Sequence, residues 1–191
     1  MCSKKRTGLS FILSAPAGTG KTTLVDRLVE EFPHIVKNIS YTTRRKRDGE
    51  VDGKDYLFLT KEDFLKKEDD FLEVVELFGN KYATSKSLVQ NNQANSLHTV
   101  FVIDVEGALQ LKKQIPCISI FVSPPSLNAL TSRLKKRSSE NPEEMAVRIK
   151  RAKKELEMVK YYDYHIVNDV LSTAYEALKS IVIAEEHRVT D

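Results

Sequence analysis

The chain has 191 residues, 41% hydrophobic and 30% charged, with 7 Gly and 6 Pro, enough to bury one sizeable core and unlike a disordered or collagen-like mixture. Its 30 Lys and Arg against 27 Asp and Glu leave a net charge of +3, too small to argue for nucleic acid from charge alone. The two cysteines, Cys2 and Cys117, form no disulfide or zinc pattern, and the four histidines show no ligand-like spacing.

Near the start, Lys4-Lys5-Arg6 and the apolar residues after them superficially copy a secretory leader, but the run is short and broken by Ser10 and Ser14. No stretch approaches the roughly 20 apolar residues of a membrane span, so the expectation is a cytoplasmic protein with no membrane and no nucleic-acid partner.

In chain order, residues 9–14 predict a short buried strand. A Pro/Gly-rich turn follows, and then residues 22–32 predict a helix with Leu24, Leu28 and Phe32 on one face. Residues 35–97 differ, with strand-like pieces at 56–59 and 71–75 among polar turns, and read as a small inserted subdomain. Residues 100–103 and 118–122 are β-branched and aromatic runs separated by a helical segment carrying Ala108, Leu109 and Leu111. This alternation predicts an α/β protein whose parallel sheet is covered by helices. Ser126 reads as the N-cap of a helix with Leu127, Leu130 and Leu134. Met145, Ile149, Ala152, Leu156 and Val159 then predict one long helix with a basic outer face. A strand over 164–167 and a helix over 171–187 complete the chain.

Ala15-Pro16-Ala17-Gly18-Thr19-Gly20-Lys21-Thr22 matches G-x-x-x-x-G-K-[ST] at every fixed position except the first, between a predicted strand and a predicted helix. Glycines there let backbone N–H groups converge on phosphate oxygens, and the helix N-terminus adds a favourable partial charge. Lys21 then reaches the β- and γ-phosphates, Thr22 ligates Mg²⁺, and residues Ala15 to Thr23 form the cradle. Alone, the loop argues only for a nucleoside triphosphate or a related phosphate.

A second group follows: Ser40-Tyr41-Thr42-Thr43-Arg44-Arg45-Lys46-Arg47, then Gly49-Glu50 and Gly53-Lys54-Asp55-Tyr56. Arginine forks hold phosphates bidentately. A solvated charge run is the plainer reading from composition, but the adjacent hydroxyls and the upstream loop favour a second anion site.

This second segment resembles the guanylate kinase signature Ser-x-Thr-Thr-Arg-x-x-Arg-x-Gly-Glu followed by Gly-x-x-Tyr, and the likeness extends over nearly the whole chain. Phe71-Leu72-Glu73, Gly79-Asn80-Lys81-Tyr82-Ala83-Thr84 and Asp104-Val105-Glu106-Gly107 resemble further family segments. The resemblance implies a three-layer α/β/α P-loop NTPase fold with a core over 9–37, 98–132 and 161–191, an inserted mixed GMP-binding subdomain over 38–97 and a helical lid over 133–160. It implies transfer of the γ-phosphoryl group of ATP to GMP, and to dGMP, with Mg²⁺, in purine nucleotide metabolism, by a monomer or homodimer. On the matched positions Ser40, Arg44, Arg47, Tyr56 and Tyr82 hold the GMP phosphate, Glu73, Thr84 and Asp104 read guanine, and Arg133, Arg137 and Asn168 attend the ATP. Lys21, Arg44, Arg137 and Arg148 form the expected transition-state clamp. Three positions depart from the family pattern: Ala15 at the first loop position, Ala83 for Gly, and Val102 where the family carries Asp. The last leaves the metal to lean on Thr22 and the nucleotide phosphates. A P-loop kinase for another small acceptor and an inactive protein-binding relative are the competing readings.

Overall fold

The computed structural model describes residues 8–137 and 142–189, with side chains over 8–135 and 145–189. Five strands, β1 (Ser10–Ser14), β2 (Ile35–Lys37), β7 (His98–Val102), β8 (Ile118–Ser123) and β9 (Tyr164–Val167), form a wholly parallel sheet in the order β2-β7-β1-β8-β9. Strands buried on both faces have no polar side to show, which is why Phe11, Ile12 and Leu13 follow one another in β1 without alternation, with Ser10 and Ser14 buried at its two ends.

Alternation divides their side chains between two layers. Phe11, Leu13 and Val100 pack with Leu24 and Leu28 of α1 (Lys21–Glu31) and with Tyr175, Leu178 and Val182 of α7 (Leu171–Glu186). Ile12 and Phe101 face the other way, onto Val89 of α3 (Lys86–Ala94) and onto Ala108 and Leu111 of α4 (Val105–Leu111). The result is the expected α/β/α sandwich. Among the described residues no helix is long and apolar enough to cross a membrane.

A second sheet, ordered β4-β3-β6-β5, is built from β3 (Tyr41–Thr42), β4 (Leu57–Phe58), β5 (Phe71–Leu77) and β6 (Asn80–Ser85). The hairpin β5–β6 turns through Phe78 and Gly79, both left-handed with φ of 52° and 73°. Beside the hairpin, α2 (Lys61–Leu65) sends the fully buried Phe64 against Phe71, ring centroids 4.6 Å apart.

Two further helices, α5 (Leu127–Arg137) and α6 (Pro142–Glu157), share a small core of Leu130, Leu134 and Ala152. Ser126 caps α5 as expected, its hydroxyl accepting the Ala129 N–H at 3.1 Å. The single long helix expected through Val159 stops at Glu157 instead, and Met158–Tyr161 tightens into a 3₁₀ turn. That turn delivers Tyr162, whose ring lies 5.1 Å from Phe121 at a steep angle.

Candidate active site

The loop after β1 lies at the carboxyl end of the sheet, where α/β proteins bind their ligands. Gly18 and Gly20 adopt φ of 82° and 98°. A Cβ on Gly20 would sit 2.7 Å from Asn168 Nδ2, so the position is closed to other residues on both counts. Because Gly20 is the N-cap of α1, no side chain caps that helix. Its first-turn N–H groups are left for an anion.

The loop is braced from behind. The Thr19 hydroxyl donates to Pro16 O at 2.8 Å, and buried Asn168 donates from Nδ2 to Thr19 O at 2.7 Å. Arg133 of α5 donates to Asn168 O at 3.0 Å and to Asp169 O at 3.4 Å. Asn168 and Arg133, expected at the ATP, therefore sit in this structure as supports of the loop. Arg137 ends α5, and its side chain lies outside the described residues.

Lys21 donates its ammonium to Ala15 O within the loop. Loss of solvent lowers its pKa from 10.5 to about 8, against the opposing pull of Glu155 and Asp104.

One cleft of about 370 Å³ runs from this loop to the second sheet. On the loop side Ala15, Ala17, Lys21 and Thr22 line it. Across from them stand Ser40, Arg47, Tyr56, Glu73 and Tyr82, with Asp104 at the end of β7 and Arg148 on α6. The phosphate loop, the inserted sheet and α6 thus contribute to one surface, although they are far apart along the chain.

Glu73 on β5 pairs with Thr84 on β6. Both are buried, and neither Glu73 Oε2 nor the Thr84 hydroxyl completes a hydrogen bond among the described residues. Burial pushes the Glu73 pKa from 4.5 up to about 7, the neighbouring Thr84 pulling the other way and the Asp104 charge adding to the rise. A Cβ on Gly107 would lie 3.2 Å from both Asp104 Oδ1 and Glu73 Oε2, so the two carboxylates converge on that glycine. An unpaired buried carboxylate oxygen beside an unpaired hydroxyl suits a ligand that brings its own N–H groups.

Arg44 does not line this cleft but an adjoining cavity, shared with Arg47, Tyr82 and Arg148. Its guanidinium is gripped by Glu50 at 2.7 and 3.0 Å, a bidentate pair that raises its pKa, and lies 5.3 Å from the Tyr56 ring centre. Tyr56 and Tyr82 meet edge to face at 5.8 Å.

Sequence reasoning missed Arg151 and Glu155, which line the cleft and bond to each other at 2.8 Å. The sequence signal for Arg151 was the basic face of α6, and Glu155 gave none. It also missed that folding gathers His34, His98 and Glu186, whose ligand atoms lie within 4.8 Å of one another. There the Leu9 N–H donates to His98 Nδ1 at 2.9 Å, which leaves the neutral ring's proton on Nε2, facing Glu186 at 3.2 Å.

Val102 lines the cleft with a side chain that offers no oxygen. The exposed Thr22 hydroxyl at the start of α1 fits a hard cation that keeps waters and takes its other ligands from phosphates.

A guanylate kinase family model matches residues 7–185. Guanylate kinase of Protochlamydia amoebophila is 50% identical over 189 residues, covering 98% of this chain and 96% of the relative. That of Chlamydia trachomatis serovar D is 48% identical over 183 residues, covering 94% and 89%. The crystal structure of guanylate kinase from Anaplasma phagocytophilum superposes with a TM-score of 0.78 at 32% identity, covering 96% of this chain and 88% of that one. A glycine loop and a carboxylate-and-arginine wall around one cleft, matched nearly end to end by these relatives, mean that the chain belongs to the guanylate kinase family.

Proposed function

We infer that the chain transfers the γ-phosphoryl group of ATP to GMP. The observation that carries this reading is the single cleft that joins Lys21 and Thr22 to Glu73, Tyr56 and Arg47. The loop amides and Lys21 hold the donor's phosphates. Ser40, Arg44, Arg47, Tyr56 and Tyr82 hold the acceptor's phosphate. Glu73 and Asp104 accept the N–H groups of guanine, and Thr84 donates to its O6. Adenine presents the wrong edge and leaves these buried groups unpaired, a mismatch that rejects an analogue by about 10⁴ to 10⁵.

The acceptor oxygen attacks the γ-phosphorus in line, with no covalent intermediate, so positioning and charge carry the catalysis. Lys21, Arg44, Arg137 and Arg148 form the clamp, and closure of α5 and α6 over the cleft excludes water. Mg²⁺, when bound through Thr22, supplies positive charge to the β- and γ-oxygens. The reaction serves purine nucleotide metabolism, with dGMP as a second acceptor. A coupled assay offering GMP, AMP, CMP and UMP with ATP and Mg²⁺ is expected to show turnover of GMP alone; turnover of another acceptor in its place, or none, rejects the assignment.

A further inference from the structure

Asp104 is held at both oxygens. As N-cap of α4 it accepts the Gly107 N–H on Oδ1 at 2.9 Å, and on Oδ2 it accepts Arg151 Nη2 at 2.6 Å. The same guanidinium donates Nε–H to Glu155 Oε1 at 2.8 Å, one helical turn along α6. The carboxylates are 12% and 11% exposed and the Arg151 side chain 33%, so this bridge is partly shielded, more than a fully exposed surface ion pair.

A carboxylate that reads a base must not turn about its own terminal torsion, which is soft when nothing holds it. The helix cap fixes one oxygen of Asp104 and Arg151 fixes the other, while lone pairs remain for further donors. Glu155 and the Phe78 ring, 5.7 Å from the guanidinium carbon, in turn hold Arg151.

We propose that Arg151 is a positioning residue for the acceptor purine, acting through Asp104 and so coupling base selection to the seating of α6. The inference rests on the phosphoryl transfer to GMP proposed above.

The test is a double-mutant cycle on kcat/KM with GMP, and with IMP, which lacks the 2-amino group. Asp104→Asn keeps a good N-cap, so α4 retains its start. Arg151→Met is expected to raise KM for GMP about tenfold, the loss of one charge-assisted hydrogen bond, with kcat and KM for ATP little changed and the preference for GMP over IMP reduced. In the Asp104→Asn background the same change is expected to add little. Arg151→Lys, which keeps the charge without the fork, should recover part of the loss and serves in the same cycle if the Met variant does not fold. Additive losses, an effect on KM for ATP instead, or unaltered preference for GMP over IMP overturns the proposal. Wild-type protein that leaves GMP untouched would instead refute the activity itself.

Discussion

Replacing Glu73 with glutamine removes a charge from a residue only 4% exposed, whose pKa burial lifts from 4.5 to about 7. Between these values the folded chain keeps a proton that the unfolded chain has released. Stability therefore falls as pH rises through that window and levels off above about 7. The shift corresponds to about 3 kcal/mol at pH 8. Glutamine escapes this cost, so Glu73→Gln is expected to raise Tm by on the order of 10 °C at pH 8, a gap that closes towards pH 5.

On the proposed assignment, guanine binding works on the same proton. Its N–H donors favour the charged carboxylate, so GMP draws the pKa down and expels a proton, about half of one per site at pH 7 and little at pH 8.5. Calorimetry in two buffers of different ionisation enthalpy measures that release. The titration of the GMP phosphate is common to both proteins, so the difference between wild type and Glu73→Gln isolates the buried carboxylate. Equal proton release by the two, or a Tm gap that ignores pH, would refute the reasoning.

Lys21→Ala is expected to lower kcat by on the order of 10² in the coupled assay, as loss of a preorganised charge donor does, and near-normal turnover would remove Lys21 from the clamp. Asn168→Ala strips the buried Thr19 carbonyl of its 2.7 Å partner. It is expected to cost about 1–3 kcal/mol in denaturant unfolding and to raise KM for ATP; unchanged values for both would mean that the loop needs no brace. Val102→Asp adds an oxygen ligand to the cleft wall and is expected to tighten apparent Mg²⁺ affinity, read by titration of Mn²⁺ as a paramagnetic substitute. An unaltered affinity would show that the metal takes nothing from this position.

What the sequence disclosed was local. The loop from Ala15 to Thr22 and the run from Ser40 to Tyr56 are contiguous motifs, β1 is a short apolar run, and α1 has the periodicity that burial on this sheet demands. What it hid depends on chain segments meeting. Arg151 and Asp104 lie 47 residues apart, and the His34, His98 and Glu186 cluster draws on three separate parts of the chain. The two-residue strand β3 is too short for any period to reveal, whereas β4 falls inside the strand-like piece at 56–59.

Three cations in and beside the cleft share one condition. Lys21 rests on the Ala15 carbonyl, Arg44 on Glu50, and Arg151 between Asp104 and Glu155. A cation shielded from water and unpaired would be costly, so each internal acceptor stabilises the ligand-free form. On the proposed assignment, phosphates must then displace Ala15 O from Lys21 and share Arg44 with Glu50, which limits the net affinity gained from charge. Phosphoryl transfer depends on cations held in fixed geometry, so truncating Glu50 should strengthen ground-state phosphate binding less than it disorders the fork that the transition state requires, read as a fall in kcat larger than any fall in KM for GMP.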